Sequence, residues 1–137
     1  NQGITAMFAM MNHARLSVGV QGIGVADYAA QLATAYAYER VQGRRPGGED
    51  PCPIVHHPDV TRMLLEMDTE VHGLRMLALY AGRLMDMGRY HPDLTTRAMA
   101  GDLVDLLIPI VKAHSTNRAF AISSTALQVF GGMGYVE

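Results

Sequence analysis

Apolar residues recur at three- and four-residue intervals along most of the chain, and that spacing predicts long helices. From about Ile4 to Val41 no proline interrupts, and Ala26, Ala30, Ala33 and Ala37 fall along one side of a helix. Small residues in line permit close approach of a second helix. Gly19, Gly22 and Gly24 each lower helix propensity by about 1 kcal/mol relative to Ala, so their presence in this segment predicts tight packing or a cofactor's approach. Gly43 is a plausible stop.

A second helix is announced by Pro58 and Asp59, suited to a first helical turn and to the positive end of the helix dipole. Its stripe reads Val60, Met63, Leu64, Met67, Val71, Leu74, Leu77, Ala78, Ala81, Leu84 and Met85, which carries it to about Asp86 with Gly88 just beyond. After a GRYHPD turn, a third pattern runs from about Leu94 to Phe130, with Leu103, Leu106, Leu107, Ile110, Val111, Phe120, Ile122 and Leu127 as core candidates. Pro109 lacks the amide that bonds one turn back, so it is expected to kink or divide this helix, and Gly131-Gly132 to end it. Between the first two helices, GRRPGGEDPCPIVHHP at 43–58 is too rich in proline and glycine for a helix or a central strand. Strand signals are poor elsewhere too, with neither period-two alternation nor a convincing hairpin turn. The expected fold is all-α: an antiparallel bundle of three long helices forming one domain over residues 1–137.

Composition refines this picture. Hydrophobic residues make up 49% and charged residues only 18%, against a usual charged share of about 25%. That is more apolar surface than a small monomer easily hides, which points to an oligomer or to a domain of a larger protein. A formal charge of -2, with Lys112 the single lysine, argues against a nucleic-acid binder. The most apolar stretch, Leu16 to Tyr38, contains Gln21, Asp27, Gln31 and Thr34, so no membrane span is expected. Asn1-Gln2-Gly3 opens no signal peptide, and the missing initiator Met suggests an internal start. Cys52, the one cysteine, excludes an intrachain disulfide and is compatible with a reducing compartment.

Several kinds of chemistry find little support. A di-metal bundle needs Glu-x-x-His pairs, and no glutamate has a histidine three residues later. His56-His57 sit in the loop, while Glu70 and His72, two apart, point to different helix faces. Cys52 lies between prolines without an evident base. Gly22-Ile23-Gly24 lacks the strand that a dinucleotide loop requires in front of it. The ten methionines, among them Met7, Met10, Met11, Met63, Met67 and Met76, read as adaptable core filler. Two features stay open. Gly131-Gly132-Met133-Gly134 is either a helix cap or a bare backbone platform for a flat or anionic ligand. Arg40, Gln42, Arg44 and Arg45 form either a solvated terminus complementing the dipole or a phosphate clamp.

Three stretches change the odds: MFAMMNHARLSVGVQGIGVADYAAQLATAYAYERVQGR, HPDVTRMLLEMDTEVHGLRML and ALQVFGGMGYVE. In that order they resemble the C-terminal helical domain of the acyl-CoA dehydrogenases over nearly the whole chain, with 45–55 least matched. The resemblance implies a flavoprotein that desaturates an acyl-CoA thioester between Cα and Cβ. It implies an FAD cofactor, an acyl-CoA substrate, an electron acceptor of the electron-transfer flavoprotein type, and a homo-oligomer, either a dimer or a dimer of dimers. The compartment is then the cytoplasm, or the mitochondrial matrix of a eukaryote. By the same resemblance Arg40 approaches the FAD pyrophosphate of a neighbouring subunit, and Gln128, Gly131 and Gly132 line the adenosine side. Gln42 matches less cleanly, because relatives commonly place a bulky residue before that glycine. Arg15 falls where the family keeps an arginine close to acyl-CoA, and Asn12 precedes it by one turn, so both are assigned to substrate or its support.

Two departures matter. Pro58 replaces a glutamine that contacts the flavin adenine in many relatives, and proline offers no side-chain donor or acceptor. Ala14 occupies the helix position that holds the catalytic glutamate in one branch of the family. The base is therefore expected beyond Glu137, which resembles the glutamate after GGMGY and not the base. The chain then reads as a fragment of a larger enzyme, inactive and weak in FAD affinity alone, self-associating through apolar faces. The alternatives are a non-catalytic helical interaction module and a related flavin oxidase or nitroalkane-type enzyme.

Overall fold

The computed structural model describes residues 3–136, apart from the side chains of Thr5 and Ala9; Glu137 lies outside the described residues. The elements are α1 (Gly3–Glu39), a short ribbon of β1 (Val41–Arg44) and β2 (Pro51–Pro53), a 3₁₀ turn at Ile54–His56, α2 (Pro58–Tyr90), α3 (Leu94–Phe130) and a closing 3₁₀ turn at Gly131–Tyr135. Three long helices of 37, 33 and 37 residues make the all-α class that the periodicity predicts.

Contacts divide the chain into two compact units, each drawing a segment from every long helix. In the first, formed by the chain up to Ile23 with Gly73–Asn117, the buried residues include Ile23, Leu74, Ala78, Ala81, Leu84, Ala100, Ile108 and Val111. Here Gly19 and Gly22 do what small residues predict. A Cβ on Gly19 would stand 3.1 Å from Val111 Cγ1, and one on Gly22 would stand 3.3 Å from the Ser115 carbonyl oxygen. The rising order of both pairs shows α1 and α3 running in the same direction, while the short turn at 91–93 returns α3 against α2. Asp93 starts α3 by accepting from the Thr96 amide at 2.8 Å and its hydroxyl at 2.7 Å. Arg97 Nε donates to the His91 carbonyl.

In the second unit, Gly24–His72 with the chain from Arg118 on, Ala26, Ala33, Ala37, Met63, Met67, Val71, Ala119, Ile122, Ala126 and Val129 are buried. Three of the four stripe alanines, Ala26, Ala33 and Ala37, thus form a core face, and Ala30 is half-buried at its edge. Arg118 bridges α3 to α2 with a two-pronged pair to Glu70, its Nε lying 2.9 Å from Oε2 and its Nη2 bonding Oε1.

Several expectations need correction. The core face of α3 is Ala100, Ile108, Val111, Ser115, Ala119, Ile122, Ala126 and Val129, whereas Phe120 is 80% exposed and Leu106 61%. Leu103, Ile110 and Leu127 are exposed as well. Spacing decides orientation on a helix, and the small residues hold the inward positions. Met63 and Met67 are core, but Met7, Met10 and Met76 face outward. Gly88 does not stop α2, which continues to Tyr90; its bare backbone lies beside Gly101, with 3.6 Å between its would-be Cβ and the Gly101 amide nitrogen. Gly24 serves no close contact. Pro109 sits on an exposed stretch of a helix it does not divide. Finally, 41–53 pairs as an antiparallel ribbon with Val41 opposite Pro53 and Arg44 opposite Pro51, its register irregular between them. Prolines are tolerated there because each strand has a single neighbour, leaving an edge that needs no amide.

Candidate functional site

The second unit gathers five of the seven residues singled out from the sequence. Arg40 follows the last residue of α1, and its amide still closes the helix onto the Tyr36 carbonyl at 2.8 Å. Tyr36, one turn earlier, stacks on Phe130 with ring centroids 4.5 Å apart. Phe130 is the last residue of α3, immediately before Gly131. This aromatic pair therefore fastens the final turn of α1 to the final turn of α3, the two helix ends from which Arg40 and the glycines emerge. Neither Tyr36 nor Phe130 was picked out by sequence reasoning, because stacking between residues so far apart leaves no local signature.

Arg40 is exposed, and among the described residues no hydrogen bond or ion pair engages its guanidinium. Gln42 lies exposed in β1, its carbonyl oxygen 2.7 Å from His57 Nε2. Gln128 is exposed on the last turns of α3, bordering a shallow recess of about 290 Å³ with Arg62, Glu66, Ser124 and Tyr135.

The three glycines after α3 differ in what they do. Gly131 has φ +59°, the left-handed turn that caps a helix. Gly134 packs back on α3, where a Cβ would lie 2.7 Å from the Leu127 carbonyl oxygen. Gly132 has neither a positive φ nor a neighbour within 4 Å of a would-be Cβ. Its bare face is open to an outside group. Gly131 combines its positive φ with the same open space around a would-be Cβ.

Asn12 and Arg15 belong to the first unit, where Arg15 Nη1 donates to Asn12 Oδ1 at 3.3 Å. Both are half-buried, and Asn12 borders an open groove of about 930 Å³ with His13, Leu16, Arg83 and Asp105. Ala14 is exposed on the same helix. Pro58 takes the first position of α2. Among the described residues no group of three or more His, Cys, Asp or Glu side chains could hold a metal ion, and no helix is long and apolar enough to cross a membrane. Cys52 is a half-buried free thiol in β2.

A profile described as acyl-CoA dehydrogenase, C-terminal domain, matches residues 1–137. The chain belongs to that family. It is 42% identical over 139 residues to 3-methylmercaptopropionyl-CoA dehydrogenase of Ruegeria pomeroyi, an alignment covering 100% of this chain and 24% of that protein. It is 32% identical to a butyryl-CoA dehydrogenase of Syntrophomonas wolfei, over 99% of this chain and 23% of that one. A solved structure of a probable acyl-CoA dehydrogenase from Mycobacterium abscessus shares the fold, with a TM-score of 0.73 and 24% identity over 99% of this chain and 31% of the other. This acyl-CoA dehydrogenase domain thus spans about a quarter of the length of the curated relatives it matches. The family is generally FAD-dependent, acts on acyl-CoA and is usually oligomeric.

The residues present suit such a cofactor. A diphosphate wants a forked cation, an adenosine wants amide donors and acceptors, and both want backbone without side chains in the way. Arg40, Gln128 and Gly132 offer these in turn, all exposed at helix ends in one unit.

Proposed function

We propose that this chain is the C-terminal domain of a larger FAD-dependent acyl-CoA dehydrogenase, which desaturates an acyl-CoA thioester between Cα and Cβ. When bound, FAD supplies the hydride acceptor. This chain's own part is to hold the nucleotide and to form the subunit interface. Arg40 neutralises the diphosphate of a partner subunit's FAD through its fork. Gln128 offers its amide to the adenosine, and Gly131 and Gly132 let backbone approach it closely. Gln42 supports the Arg40 side of the site. Arg15, steadied by Asn12 at 3.3 Å, carries positive charge toward the thioester region. The α-proton goes to a carboxylate supplied beyond this chain, since Ala14 stands at the helix position where one branch of the family keeps its base. A flavoprotein of the electron-transfer type collects the electrons, in the cytoplasm or a mitochondrial matrix.

The observation that carries this reading is the Tyr36–Phe130 stack at 4.5 Å, which binds together the two helix ends bearing the exposed guanidinium and the open glycine face. The test is anaerobic titration of the intact enzyme with 3-methylmercaptopropionyl-CoA and butyryl-CoA, following flavin absorbance. Bleaching by at least one thioester, with slow recovery in air, is the predicted result. A flavin that no acyl-CoA reduces contradicts the reading, and rapid reoxidation by oxygen assigns the chain to an oxidase instead.

A further inference from the structure

The strand bearing Gln42 is held by residues 54–61. A two-stranded ribbon of four and three residues is marginal by itself, so what ties it down decides where Arg40 and Gln42 stand. On one side the Ile54 amide donates to the Arg40 carbonyl at 2.8 Å. On the other, His57 Nε2 lies 2.7 Å from the Gln42 carbonyl oxygen. A carbonyl oxygen only accepts, so Nε2 carries the hydrogen and donates. The ring passes beside Gly43, where a Cβ would stand 3.4 Å from His57 Cε1 and where φ is +70°. The backbone of His57 is itself anchored: its amide donates to the Ile54 carbonyl at 3.0 Å, and its carbonyl accepts from the Thr61 amide at 2.9 Å. The Thr61 hydroxyl completes the clasp, 2.6 Å from the Val55 carbonyl and 3.1 Å from that of His57.

We propose that His57 is a positioning residue for the nucleotide site: by donating from Nε2 to the Gln42 carbonyl, it fixes the strand after Arg40 and so presets where the guanidinium reaches. The proposal rests on the reading that Arg40 holds the diphosphate of FAD. An exposed arginine loses rotamer freedom when it binds, and a fixed backbone on both sides reduces what remains to be ordered.

The test is FAD binding by the intact apoenzyme, read as quenching of flavin fluorescence, for wild type, His57→Phe, His57→Gln and Arg40→Ala. Glutamine places its amide nitrogen about as far from the backbone as Nε2, so it restores the donor without the ring. His57→Phe is expected to weaken FAD about five- to tenfold, with kcat at saturating FAD unchanged, and His57→Gln to return to within about twofold of wild type. A packing role alone leaves Gln no better than Phe. Wild-type affinity in His57→Phe, or no rescue by Gln, overturns the proposal. If Arg40→Ala weakens FAD while His57→Phe does not, only the role of His57 falls; if Arg40→Ala binds like wild type, the underlying reading falls. Should His57→Phe not fold, Thr61→Val loosens the same clasp and carries the test: FAD weakened about two- to fivefold supports the proposal, and wild-type affinity overturns it.

Discussion

The Asp93 carboxylate accepts from the amide and the hydroxyl of Thr96, at 2.8 and 2.7 Å, at the start of α3. The Thr96 hydroxyl chiefly, then its amide, hold the carboxyl below its ordinary value. The folded state therefore prefers the ionised form. Its contribution to stability is complete above the unfolded value near 4 and is lost as pH falls through the lower folded value. Asp93→Ala is expected to lower the urea midpoint at neutral pH and to flatten the acid limb below about pH 4, measured by circular dichroism; an unchanged acid limb contradicts this. The GRYHPD turn is legible as a turn, and the Asp93–Thr96 cap within it is a local contact three residues apart. Glycines are legible only in part. Gly131 is readable as a helix end, whereas Gly88 looks like a stop and is a packing position, because the identity of the opposing residue, Gly101, is not local information.

On the scale of whole elements, Gly22 and Gly24 make a controlled pair within α1. Both are interior helix glycines, and alanine is favoured over glycine there by about 1 kcal/mol. A Cβ at position 24 meets nothing within 4 Å, while at position 22 it comes within 3.3–3.4 Å of the Ser115 and Thr116 backbone, which cannot swing aside. Gly24→Ala is expected to stabilise the chain by about 1 kcal/mol and Gly22→Ala to forfeit that gain, read from chemical denaturation; equal stabilisation by both contradicts the packing described. Helix number, the start of each helix and the alanine face of α1 were legible because periodicity is local. The inward face of α3 was not: its large side chains drew attention, yet Phe120 is 80% exposed while Ala119 is 7%. The ribbon escaped notice because its pairing depends on ties from Ile54 and His57 rather than on alternation.

For the molecule as a whole, the low charge and high apolar content find their counterpart in outward-facing Phe8, Leu79, Leu106, Ile110 and Phe120. Single exposed apolar side chains are ordinary, but this many on one small chain mark surfaces that suit covering by further protein. The family's motifs were legible at both ends of the chain, and they reach past what periodicity tells, since ERVQGR ends at Arg44 and QVFGGMGY begins only at Gln128. What no sequence pattern displays is the Tyr36–Phe130 stack that fastens their helices together. The most direct measurement is the crystal structure of the intact, flavin-loaded enzyme. A partner subunit's FAD is expected there, with its diphosphate about 3 Å from the Arg40 guanidinium and its adenosine against Gln128, Gly131 and Gly132. A flavin seated elsewhere, with Arg40 and those glycines facing water, contradicts this.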